Sequence, residues 1–141
     1  MFACLSTYSH EKLLAYKVSR KADAALVIDT FYAAVSLRKP PKGLIVHSDR
    51  GPQYTSSALK KVLDEANVMQ SFSAKAYPYD NAVAEAFFKY LKCEELNRHS
   101  YSSTEELDLA MSQYARFYNN ERPHSANDGL TPNDRESSYA C

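Results

Sequence analysis

Two acidic residues in this chain sit in dense polar motifs, Asp49 in Ser48-Asp49-Arg50-Gly51 and Glu85 in Asp80-Asn81-Ala82-Val83-Ala84-Glu85, with 35 residues between them. Carboxylate oxygens are hard ligands suited to magnesium, and carboxylates drawn from different elements can bridge two ions about 3.5 to 4 Å apart. Such an arrangement activates a water or a 3′-hydroxyl and stabilises the leaving oxygen in phosphoryl transfer. Taken singly, each acid has a plainer reading. An Asp before Arg-Gly is usually a turn residue, and a helical Glu85 with Lys89 four residues on is a solvated pair worth about 0.3 to 0.5 kcal/mol. Their joint context favours the chemistry.

These acids must be placed by a strand and a helix. Leu44-Ile45-Val46-His47 is a short apolar run between Gly43 and Asp49-Arg50-Gly51-Pro52, which predicts a buried strand ending in a tight turn. Asp49 then lies at a carboxyl end, where loops of a sheet flanked by helices gather catalytic groups. Asp80 is suited to cap a long helix reaching about Asn97 and packed through Val83, Phe87, Tyr90 and Leu91. On it Asn81, Glu85, Lys89 and Lys92 fall at i, i+4, i+8 and i+11, one polar stripe opposite the aromatic face. Lys89 and Lys92 are thereby candidates for phosphate contacts.

The rest of the chain supplies a frame. Residues 2–7 and 13–19 read as a hairpin around the turn at Tyr8 to Lys12. A helix over residues 22–37 follows the spacing of Val27, Ile28, Phe31, Ala34 and Val35 and is stopped by Pro40-Pro41. Thr55 or Ser56 caps a helix with Leu59, Val62, Leu63 and Ala66 on its apolar face, and Asn67 suits the left-handed residue that ends it. Residues 68–72 form another short strand. A last helix begins with Ser103 and Glu106 in capping-box spacing and buries Leu107, Met111, Tyr114 and Tyr118. Residues 119–141 read as a turn-rich tail of one domain whose main body is 1–118. Strands first, then strands alternating with helices, predict an α/β layered sheet with helices against it.

Composition limits the alternatives. The 141 residues, 45% hydrophobic, can bury one core. With 17 basic and 17 acidic residues the net charge is zero, so any surface for nucleic acid must be local. Cys4, Cys93 and Cys141 lack zinc or disulfide spacing and are expected to be reduced thiols in the cytoplasm. No apolar run is long enough for a membrane span. His47, two residues before Asp49, could face the same side of the strand near the metals, or be packed and hydrogen-bonded in the ordinary way. His10, His99 and His124 show no metal-ligand spacing with the cysteines. Ser48 beside His47 has no orienting acid that would make it a nucleophile. Tyr54 and Tyr77 flank the two motifs and could stack on bases.

Several segments in order resemble one family. They are Val46-His47-Ser48-Asp49-Arg50-Gly51-Pro52-Gln53-Tyr54-Thr55-Ser56, then Tyr79 to Glu85, then Tyr118-Asn119 with Arg122-Pro123-His124 and Thr131-Pro132. Together they resemble the integrase-type (DDE) core of bacterial insertion-sequence transposases, related to the retroviral integrase catalytic core. The resemblance implies a ribonuclease H-like mixed sheet flanked by helices. It also implies a triad of two aspartates and a glutamate, with Asp49 and Glu85 matching the second and third members as catalytic metal ligands. Magnesium is the implied cofactor, with manganese a substitute, and DNA the partner, as transposon terminal repeats and target. Asn81, Lys89, Lys92, Arg50 and Tyr54 are the expected DNA contacts. Pro52 stands where the family often has Ser.

The first acid has no counterpart, since no Asp precedes Asp23, which opens a helix. The family carries that acid on a central first strand, so the expectation is an amino-terminally truncated core that lacks this strand, binds metal weakly and is inactive alone. A second expectation, from another class, is a non-catalytic remnant that binds DNA, self-associates, or pairs with intact transposase and inhibits it. A nuclease working with two acids is a third.

Overall fold

A computed structural model describes residues 11–74 and 82–139 together with the backbone of Phe2–Ser6. The order is β1 (Phe2–Ser6), β2 (Leu13–Val18), α1 (Ala24–Leu37), β3 (Ile45–Ser48), α2 (Ser57–Glu65), β4 (Met69–Phe72), α3 (Ala82–Leu91), α4 (Thr104–Asn120) and α5 (Pro132–Tyr139). A π-helical segment, Lys92–Leu96, continues α3, and a 3-10 turn, Ser125–Asn127, precedes α5. The chain divides into two compact units. One takes Met1–Cys4 with Ala15–Ala82, the other Leu5–Leu14 with Val83–Cys141.

In the first unit each helix starts where a side chain replaces a missing hydrogen-bond partner. Asp23 accepts from the Leu26 amide at 3.1 Å to open α1, and Ser56 from the Leu59 amide at 3.2 Å to open α2. At the other end of α2, Asn67 takes the left-handed conformation (φ 56°) foreseen for it. The Asn67 amide reaches the Asp64 carbonyl and the Val68 amide the Leu63 carbonyl, a Schellman closure. Leu59 and Leu63 of α2 are buried, as are Leu26, Val27, Thr30, Phe31 and Ala34 of α1. The helix α2 packs on α1 and on β4.

β3 and β4 pair in parallel, Ile45 with Met69 through Ser48 with Phe72, and α2 is the crossover a parallel pair requires. Among the described residues the strands form two separate two-stranded sheets, β1 with β2 and β3 with β4. One face of the β3–β4 pair is bare: Ile45 and Met69, directly opposite one another, are 53% and 57% exposed.

The second unit is built on aromatic rings. Phe87 and Leu91 of α3 share a core with Met111, Tyr114 and Tyr118 of α4. Phe87 meets Tyr118 edge-on, with centroids 5.1 Å apart, and Tyr118 meets His124 edge-on at 4.5 Å. Ser103 caps α4 by accepting from the Glu106 amide at 3.1 Å, but the Glu106 carboxylate reaches back to the amide and hydroxyl of Ser102, one residue further than a capping box. This holds the Glu106 carboxyl below its ordinary range.

The long helix reaches its expected end, running to Leu96 with Asn97 as its cap, but its last turn is π-helical. Within that turn Glu94 reaches Arg122 and Tyr114, while Glu95 reaches Tyr101. The carboxyl-terminal stretch is not only turns, for it contains α5. Thr131 accepts from the Asp134 amide at 3.1 Å and donates to the Asp134 carboxylate at 2.8 Å, and Pro132 occupies the first helical position. The proposed cap, Asp80, lies outside the described residues.

Candidate active site

The expected site residues fall on both units, and each group is described on its own. In the first unit, β3 ends at Ser48 and the chain leaves through Asp49, Arg50 and Gly51. Asp49 is exposed. Its Oδ1 accepts from the Gly51 amide at 2.8 Å, which aims the carboxylate back over the turn, and its carbonyl accepts from the Ser48 hydroxyl at 3.0 Å. A Cβ at position 51 would come within 3.0 Å of Asp49 Oδ1 and 3.1 Å of the Gln53 amide group, so a side chain there would crowd the Asp49 carboxylate and displace these side-chain ends by a few tenths of an ångström. The amides of Tyr54 and Thr55 close on the Gly51 carbonyl at 3.0 and 3.1 Å.

Arg50, exposed, lays its guanidinium 5.7 Å from the centre of the Phe72 ring and donates through Nε to the Ser73 carbonyl at 3.4 Å. Tyr54 is half-buried, its carbonyl taken by the Gln70 side chain at 2.6 Å. His47 is exposed and hydrogen-bonded on both ring nitrogens, to Ser71 and to Ser73. Sequence reasoning placed Gly51 in the turn but missed Ser71 and Ser73 as parts of this corner. The Arg-Gly after an Asp signalled the turn, but only strand register could reveal the serines.

In the second unit Glu85 lies in the first turn of α3, where the helix dipole favours a carboxylate. Glu85, Lys89 and Lys92 are exposed while Phe87 and Leu91 are buried, so the polar stripe faces outward. The plain alternative of a Glu85–Lys89 pair does not form. Among the described residues the helical ion pairs at i,i+4 are Lys60–Asp64 and Lys61–Glu65. Asn81 lies outside the described residues. Exposed carboxylates such as Asp49 and Glu85, in no ion pair among the described residues, are the donor type magnesium takes, with water completing its coordination. Among the described residues no three His, Cys, Asp or Glu side chains gather into a metal cluster.

The motif residues of the carboxyl-terminal part hold structure together. Asn119 pairs with the start of β2 through its side chain, donating to the Leu13 carbonyl at 2.7 Å and accepting from the Leu13 amide at 2.9 Å. Arg122 grips both oxygens of Glu94 at 2.8 to 3.0 Å, and its guanidinium lies 4.0 Å from the centre of the Tyr90 ring. Buried His124 is 2.9 Å from the Glu11 carboxylate and 3.2 Å from the Tyr118 carbonyl. Lys12 and Glu136 form an ion pair at 2.6 Å. The guanidinium, and the Tyr114 hydroxyl at 2.9 Å, hold the Glu94 carboxyl below its ordinary range against the opposing effect of burial. Burial, with Glu94 as its acceptor, pushes the Tyr114 phenol up.

A Lactococcus lactis protein named ATP-dependent protease is 50% identical over 97 residues, 68% of this chain but 31% of that protein. Because the match covers less than a third of that protein, its name carries nothing over to this chain. The transposase for insertion sequence element IS904 of Lactococcus lactis is 37% identical over 126 residues, 89% of this chain and 50% of that protein. Transposase InsF for insertion sequence IS3A of Escherichia coli is 36% identical over 126 residues, 89% of this chain and 44% of that one. The chain thus spans from about a third to half the length of these relatives.

Among solved structures, the catalytic core domain of BIV integrase superposes with a TM-score of 0.69 at 18% identity, covering 99% of this chain and 88% of its own. The HTLV-2 integrase catalytic core domain, in complex with magnesium, gives 0.61 at 19% identity, covering 84% and 72%. The fold is therefore ribonuclease H-like. Integrase core domain models match residues 1–78 and 66–132, and with the transposase relatives they place this chain in the integrase core domain family, among the insertion-sequence transposases.

Proposed function

We propose that this chain is the catalytic core of a transposase that cleaves transposon ends and joins their 3′-hydroxyls to target DNA, with Asp49 and Glu85 as its metal ligands. The observation that carries this is the Asp49 corner: an exposed carboxylate at the carboxyl end of a parallel strand, fixed by the Gly51 amide and in no ion pair among the described residues. Magnesium, for which manganese can substitute, would supply activation of the attacking oxygen and stabilisation of the leaving one. Asp49 and Glu85 would hold it. Lys89 and Lys92 bind phosphates flanking the reacting one, Arg50 and Asn81 add polar contacts, and Tyr54 offers a ring to a base.

Asp49 and Glu85 are proposed as the counterparts of two of the three acids of a family site. The 141-residue polypeptide on its own is accordingly proposed to bind metal weakly and to be inactive in strand transfer. A terminal-repeat duplex incubated with it and magnesium should remain unnicked. A form preceded by a strand with an Asp should nick it, and Asp49→Asn or Glu85→Gln in that form should return nicking to background. Nicking that survives both substitutions would sink the assignment, and nicking by the unaided polypeptide would sink the inactivity.

The bare pair of Ile45 and Met69 favours a second reading, in which this chain pairs with intact transposase and inhibits it. Mixing the two during a strand-transfer assay decides it, since an unchanged rate excludes inhibition.

A further inference from the structure

The imidazole of His47 stands on the bare face of the β3–β4 pair, opposite Ser71 in register. An exposed histidine ordinarily leaves its ring to water. Here Nδ1 lies 3.1 Å from the Ser71 hydroxyl and Nε2 3.0 Å from the Ser73 hydroxyl, so alternate residues of one chain segment hold the ring across both strands. A neutral ring offers one donor and one acceptor, and a hydroxyl serves as either, so both tautomers satisfy the bridge. The attachment extends along the motif. The Ser73 amide donates to the Ser48 carbonyl at 2.9 Å, and the Ser73 carbonyl accepts from Arg50 Nε. Residues 47, 48 and 50 are thus each fastened to Ser71 or Ser73, and Asp49, between them, keeps its carboxylate on the Gly51 amide instead.

We propose that His47, through Ser71 and Ser73, is a positioning residue that fixes the end of β3 and thereby the direction of the Asp49 carboxylate toward a divalent cation. The inference rests on the reading of Asp49 as a metal ligand. His47 itself touches neither metal nor DNA in this role. The ring bridge limits the swing of the turn, so its loss costs metal affinity before it costs fold.

Manganese titration of the 141-residue chain, followed by water-proton relaxation, tests both layers. Asp49→Asn should abolish the Asp49-dependent binding, which checks the underlying reading. His47→Ala should weaken manganese binding about tenfold, at the lower end of the effect of groups that orient metal ligands. The double change Ser71→Ala with Ser73→Ala should weaken it equally, and combining it with His47→Ala should add nothing further. His47→Gln, which can still reach one serine, should recover part of the loss. Ile45→Ala, on the same face but outside the bridge, should leave affinity unchanged.

Wild-type affinity in His47→Ala, alongside loss in Asp49→Asn, overturns the positioning role and leaves the ligand assignment standing. Weakening in His47→Ala without weakening in the serine pair overturns the bridge. A wild type that takes no manganese, or an Asp49→Asn protein that takes it normally, overturns the ligand assignment and the positioning role together. Should His47→Ala fail to fold, the serine pair and His47→Gln carry the same comparison.

Discussion

Arg122 shows how far a single side chain can tie distant parts of a unit together. Its planar fork meets both oxygens of Glu94 while its face covers Tyr90, a combination that lysine cannot reproduce. Arg122→Lys is expected to lower unfolding free energy by about 1 to 2 kcal/mol, measured by urea denaturation. Because the folded state depresses the Glu94 pKa, the unfolded chain takes up this proton first on acidification. The stability Glu94 contributes is complete above the ordinary carboxylate value of 4.5 and is lost as pH falls through the lowered folded value. Glu94→Gln should therefore flatten the decline in melting temperature below that value, and an unchanged decline would refute the contribution. The resemblance placed Arg122 in a family motif without revealing its partner, since 28 residues separate it from Glu94.

Among the elements, those with local signals were legible and those shaped by distant contacts were not. The caps at Asp23, Ser56 and Ser103 and the stop at Asn67 each depend on a few adjacent residues, and the structure follows them. The widened turn at Lys92–Leu96 is different. Its residues have ordinary helical propensity, and the carboxylates at 94 and 95 reach partners that only the tertiary fold supplies. The helix α5 had a local signal in Thr131-Pro132-Asn133-Asp134, but its short polar sequence lacks the periodic apolar face by which helices are usually recognised. The left-handed Asn67 offers a direct check of the local signals. Asn67→Ala should cost about 1 kcal/mol and Asn67→Gly should cost nothing or stabilise, as thermal melts would show. Equal stability of the two would contradict a left-handed close.

At the level of the whole molecule, the net charge is zero, so the proposed DNA contacts rest on local basic groups and not on an overall charge excess. If Lys89, Lys92 and Arg50 each meet one phosphate, the logarithm of DNA affinity should fall against the logarithm of salt with a slope of about −2 to −3. Lys89→Ala and Lys92→Ala should each lessen that slope by about 1. A slope near zero, or one unmoved by these substitutions, would remove the lysine stripe from the interface. The family and the ribonuclease H-like fold were legible because the motif segments run in order along the chain. The placing of Asp49 beside a serine-held histidine required the parallel pairing of β3 with β4.

The Asn119 side chain, bound to both backbone groups of Leu13 across 106 residues, has a consequence for biosynthesis. A ribosome adding about 5 to 20 residues per second needs roughly 5 to 20 seconds to travel from one partner to the other. Throughout that interval water, and not Asn119, holds the amide and carbonyl of Leu13. This tie between the start of β2 and the end of α4 can therefore form only once residue 119 has been made.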